Sequence, residues 1–140
     1  MAALILIVML FLHVYADYSL QGILADMKQR SWWIEKLGIK YAKEPENSMY
    51  SKDYLVALIT HAFEWTFVVM IPMLYFCVKN SCEMPMIIVY VVLLVSETGV
   101  HAEIDNDKAN NKILSLAGDQ FLHIVQVFFI WFIWLISFGY

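Results

Sequence analysis

Charge is scarce in this chain: 16% of its 140 residues are Asp, Glu, Lys or Arg, while 61% are hydrophobic. A soluble domain carries about 25% charged residues. A chain this short also has too much surface for its volume to hide so many apolar side chains from water. Lipid is therefore expected to cover part of it. Cysteine is nearly lacking, with Cys77 and Cys82 the whole complement. Two thiols in one short connection, with no further Cys or His beside them, exclude a zinc knuckle and leave open a disulfide or two free thiols. Nine basic residues against thirteen acidic ones exclude the positive stripe of a nucleic-acid-binding protein. Repeats of solenoid length, low-complexity tracts, Gly-rich phosphate loops and a Ser-His-Asp signature are all missing.

What is present is four apolar runs, predicted as helices from about Ala2 to Leu20, Asp53 to Val78, Pro85 to Asp105 and Asp119 to Phe138. Each approaches the ~20 residues needed to cross a hydrocarbon layer. Pro85 suits a first helical turn, where its missing N–H costs nothing. The first run has the apolar core of a signal peptide but no basic leader or small-residue cleavage site. His13 and Asp17 follow it directly, so it is read as a retained helix. The expectation is an all-α fold: one transmembrane domain over residues 1–140, built as a four-helix bundle.

Lys28, Arg30, Lys36, Lys40, Lys43 and Lys52 fall in the first connection, Lys108 and Lys112 in the third, and Lys79 alone in the second. The positive-inside rule then puts the first and third connections in the cytoplasm, with both termini and both cysteines outside. Within the first connection, Ser31-Trp32-Trp33-Ile34-Glu35-Lys36-Leu37 is expected to form a short interfacial amphipathic helix. The alternative is that its two tryptophans cap the bundle. Tyr41 to Ser48 is a loop by composition.

Every histidine has a carboxylate one helical turn away: His13 with Asp17, His61 with Glu64, His101 with Glu97 and Asp105, and His123 with Asp119. Residues three or four apart share a helix face. The predicted topology gathers these pairs near the cytoplasmic ends of the helices, with His61 about two turns in at ~5.4 Å per turn. A charge inside a membrane helix costs at least ~2.5–3.5 kcal/mol, so such groups should face and pair with one another. Structural His–carboxylate hydrogen bonds are one outcome. The other is a metal site, since imidazole nitrogen with carboxylate oxygen suits zinc first, or manganese or iron, and facing bundle helices are a known way to build a two-metal site. The candidate ligands are His13, Asp17, His61, His101, Asp105, Asp119 and His123, with Glu97 or Glu64 as general base and some carboxylates as outer partners of the histidines. Gln21, Lys28, Lys108 and Gln120 flank the cluster, either orienting an anionic substrate or lying solvated.

The string His13-Val14-Tyr15-Ala16-Asp17-Tyr18-Ser19-Leu20-Gln21, with Lys28 downstream, resembles the opening H-x-x-A-D-F-x-x-Q of a bacterial and phage membrane family, domain of unknown function 3307. His61 stands where that family has an isolated helical histidine. His101, Asp105 and Lys108 follow its H-x-x-x-D-x-x-K element with Asp107 added, and Asp119-Gln120-Phe121-Leu122-His123 follows its D-Q-x-x-H. The resemblance implies a bacterial or phage origin, and hence a bacterial inner membrane, and it stresses the same polar positions. It brings no activity with it.

The leading expectation is a metal-dependent hydrolase open to the cytoplasmic leaflet, its substrate a phosphoester or lipid headgroup because basic residues crowd that surface. A bound divalent ion would bring a water's pKa toward neutrality. The rivals are a cation or proton pathway and a non-enzymatic accessory factor with a structural His–carboxylate cluster, working as a homo-oligomer or on a membrane protein partner. Against the pathway, the outer half of every run is apolar.

Overall fold

The computed structural model describes residues 2–37 and 52–138, and among these the chain is all-helical. Helix α1 (Ala2–Tyr15) runs on into a wider π-helical turn (Ala16–Leu20). Then come α2 (Leu24–Met27), α3 (Arg30–Leu37), α4 (Asp53–Val69), α5 (Ile71–Lys79), α6 (Met84–Ala109) and α7 (Leu116–Phe138). Ala2–Leu20, Met84–Ala109 and Leu116–Ser137 are each long and apolar enough to cross a membrane. Helices α4 and α5 make a fourth such span if the pair, bent by 49°, counts as one.

That bend departs from the single helix expected to Val78. Pro72 has no N–H to donate, and a proline ring crowds the carbonyl four residues back, here Val68. Met70 accordingly leaves helical geometry at φ −87°, ψ 1°. Helix α6 also outruns the expected end at Asp105, because polarity ends an apolar run without ending a helix; nothing in Asn106-Asp107-Lys108-Ala109 breaks one. Between the π turn and α2 the chain swings round at Gly22, with φ +50°, a left-handed conformation that glycine adopts without steric cost.

The interior is layered along the helices. One half is apolar, with Met9, Val69, Met70, Met73, Leu93, Ile130 and Trp134 buried together. The other half is polar, with His13, Asp17, His61, His101, Asp105, Asp119 and His123 all buried. Trp65, fully buried, lies at the boundary between them. Outward, Leu4, Ile7, Phe11, Val92, Val95, Phe121, Phe132 and Ile136 are each more than half exposed. A polar half-core beneath an apolar outer surface is the reverse of a bundle bathed in water.

The short helix expected over Ser31–Leu37 falls within α3, where Trp33 is half-buried. Its indole N–H donates to the Met27 carbonyl at 2.7 Å, and its ring lies half-buried beside Asp53, Val56 and Thr60 of α4. Arg30 lies 5.6 Å over the Tyr54 ring, tying α3 to the same end of α4. The expected loop from Tyr41 to Ser48 lies outside the described residues.

Candidate metal centre

Four elements each bring part of the centre: Asp17 from the π turn, His61 from α4, His101 with Asp105 from α6, and Asp119 with His123 from α7. The (i, i+4) spacing on α6 and α7 lays each His–Asp pair along one helix face. The Nε2 of His61 faces Asp17 Oδ1 and Asp105 Oδ2, both at 3.4 Å. It also meets His101 Nε2 at 3.5 Å. His123 Nε2 lies 3.4 Å from Asp105 Oδ1 and 3.5 Å from Asp119 Oδ1.

Three groups of donors lie close enough together to hold a metal ion: Asp17, His61 and His101; His101, Asp105 and His123; and Asp17, Asp119 and His123. Every two groups share one residue. A histidine Nε2 has one lone pair and serves one ion, whereas a carboxylate has two oxygens and can serve two. Only the pair that shares Asp17 can therefore be filled together. The carboxylate is already turned that way, with Oδ1 toward His61 and Oδ2 accepting from Gln120 Nε2 at 2.7 Å. Gln120 also donates to Asp119 Oδ2 at 3.1 Å, on the side of the other group.

The donor set fits a cation on a second count. Buried polar atoms are nearly always satisfied, yet His123 Nε2 and Asp119 Oδ1 are buried without a hydrogen bond. A nitrogen and a carboxylate oxygen in that state are what a shared cation satisfies. His101 Nδ1 and His123 Nδ1 are likewise without a hydrogen bond, although a metal-binding histidine ordinarily passes its second N–H to an acceptor. Stacking orients these rings instead. Trp65 lies on His101 at 4.2 Å and 23°, and His101 on His123 at 4.1 Å and 24°.

Three of the expected site residues stand apart. His13 is buried beside the cluster but belongs to none of the three groups. Its Nδ1 accepts the Trp65 indole N–H at 3.0 Å, which leaves the proton of the neutral ring on Nε2. Glu64 is exposed on the outer face of α4. Glu97 is buried one turn further along α6, where its main-chain carbonyl accepts Gln126 Nε2 at 2.7 Å. It lines an apolar groove with Val100, Ile104, Leu122, Val125 and Phe129, on the α6–α7 side.

Two lysines enter the centre as counter-charges. Lys28 is buried, with Nζ 2.6 Å from Asp105 Oδ2, and Lys108 reaches Asp119 Oδ2 at 2.7 Å. Lys28 comes from the turn between α2 and α3, which Asn110 clamps to the end of α6. The Asn110 side chain accepts the Arg30 N–H at 2.7 Å and donates to the Lys28 carbonyl at 3.1 Å. An ordinary hydrogen bond contributes about 1 kcal/mol net. Asn110→Ala is therefore expected to lower the unfolding free energy by about 1–2 kcal/mol, read as an earlier midpoint in detergent denaturation; an unchanged midpoint would show the clamp to be idle.

Trp65 and Asn110 were not singled out from the sequence. Trp65 follows His61 by four residues and so shares its face, a signal present in the spacing but not carried by any acidic or basic group. Asn110 had no local signal. No family model, curated protein or solved structure matches the chain.

Proposed function

We propose that this is an integral membrane protein, a four-helix bundle related to the family it resembles, that holds two divalent ions and hydrolyses an ester at the cytoplasmic leaflet. The observation that carries the reading is the pair of donor groups joined through Asp17. Asp17, His61 and His101 would hold one ion, and Asp17, Asp119 and His123 the other. Mixed nitrogen and carboxylate donors suit zinc, manganese or iron. Such a pair of ions polarises an ester and supplies a water with its pKa brought toward neutrality. Asp105, outside that pair of groups, holds Lys28 at the edge of the centre, while Glu64 and Glu97 stand apart from the donor groups. Trp65 and the His101–His123 stack keep the ligand rings from turning. The apolar half of the interior argues for a closed pocket over a pathway for ions or protons. The basic connections favour the cytoplasmic side for the centre and the outside for both termini, in a bacterial inner membrane.

A second reading has its own support: Lys28 and Lys108 already neutralise two of the three carboxylates, as a metal-free structural network would need. One measurement separates them. Elemental analysis of the detergent-purified full chain should find divalent metal at one to two equivalents, sharply reduced in Asp17→Asn. A folded wild-type chain without metal after supplementation with zinc, manganese or iron would rule the first reading out.

A further inference from the structure

Beside the centre lies a polar basin of about 250 Å³, lined by Gln21, Ala25, Lys28, Gln29, Asp105, Lys108, Ala109 and Lys112. Asp105 lies on its centre side. Three lysines line it, and the Nζ of Lys112 is held by the Ala109 carbonyl at 2.5 Å. The arginine next along the chain is engaged elsewhere, over the Tyr54 ring.

We infer that this basin takes the phosphoryl group of a phosphate ester and presents it to the centre; the inference rests on the metal reading above. Charge is the first reason. Two divalent ions with Lys28 and Lys108 carry six positive charges against three on Asp17, Asp105 and Asp119. A buried surplus of three is costly unless an anion joins it. A single ion still leaves a surplus of one. Shape is the second. Ammonium groups arriving from three separate residues match the several oxygens of a tetrahedral anion. A planar carboxylate is better served by the two-pronged fork of an arginine, which the basin lacks. Size is the third. Sites for whole small molecules run from about 300 to 1,000 Å³, so this basin suits a head group, with the rest of the ester outside it.

The phosphoryl group can belong to a lipid head group or to a soluble ester. The test is calorimetric titration of inorganic phosphate into the full chain in phosphatidylcholine nanodiscs, metal-free and metal-loaded, with metal content measured on the same samples. The metal-loaded chain should bind phosphate with a Kd below about 1 mM. Lys108→Gln and Lys112→Gln should each weaken it by about tenfold, as loss of a charge-assisted contact does. Lys112 is exposed, so Lys112→Gln leaves the fold intact and keeps the test decisive.

No binding at about 10 mM phosphate in a chain that holds metal, or binding indifferent to both variants, overturns the inference and leaves the metal reading standing. Binding by a chain that never takes up metal, weakened by Lys112→Gln, supports the basin and removes the metal reading. Phosphatidic acid added to the discs should compete with phosphate when the natural source is a lipid. Absence of competition assigns the basin to a soluble ester.

Discussion

Replacing His101 with phenylalanine is expected to lower the affinity for one of the two ions, that of Asp17, His61 and His101, at least ~100-fold while leaving the chain folded. Loss of a supporting outer contact alone costs ~10–100-fold, and His101 is a donor in two of the three groups. Without it Asp17 and His61 offer one ion two donors, and Asp105 and His123 are left in the same position. Phenylalanine is chosen over alanine because it keeps a flat ring between Trp65 and His123, at the 4.2 Å and 4.1 Å spacings of the native stack. The measurement is competition with a chromogenic chelator on the detergent-purified chain. Glu97→Gln is the control, expected to bind metal within about twofold of wild type, because no hydrogen bond or ion pair among the described residues joins Glu97 to the cluster. The Asp17, Asp119 and His123 group keeps its donors, so the variant should hold one ion where the wild type holds two; full stoichiometry at full affinity would place the first ion on other residues.

Trp65→Ala is expected to lower the unfolding free energy by about 3–5 kcal/mol, the usual cost of truncating a large buried aromatic. Trp65 is fully buried at the join of the apolar and polar halves. Its removal opens a cavity against Met9 and Val69, frees one face of His101, and leaves His13 Nδ1 without a donor. Trp65→Phe separates these effects. It keeps a flat ring against His101 but removes the N–H together with part of the indole, for an expected loss of about 1–3 kcal/mol, chiefly from the unsatisfied nitrogen. Denaturant-induced loss of near-ultraviolet circular dichroism would measure both. Similar losses in the two variants would place the whole effect in the hydrogen bond.

The helices and the inward residues were legible because hydrophobic runs and spacings of four are local signals. Asp105 follows His101 by four residues, and His123 follows Asp119 by four, so each pair stays within about 40° on its helix. Glu64 follows His61 by three, about 60° to the other side, and that difference carries it out among Phe63 and Phe67, which are exposed with it. Glu97 lies eight residues before Asp105, and the accumulated rotation of about 80° turns it toward Gln126. His13 has sound spacing to Asp17, but its partner is an indole from a distant helix, and no local pattern announces that. The sequence puts Lys28 at the flank of the cluster, orienting an anion or solvated, but does not show it buried in the centre. Its burial depends on the left-handed turn at Gly22 and on Asn110, eighty-two residues further along, so its place in the centre is a property of the fold.

The π turn at Ala16–Leu20 has a consequence for the length of the chain. A π turn holds one residue more than the α-helical turn it replaces. Deleting a single residue there, Tyr18 for instance, would let the segment close into ordinary helix and leave Gln21, Gly22 and the stretch that carries Lys28 nearly in phase with His13. The same deletion in an uninterrupted helix such as α6 would rotate everything after it by about 100°. The π turn is in that sense the place where this chain tolerates a change of length: one surplus residue is taken up there without disturbing the lining of the basin.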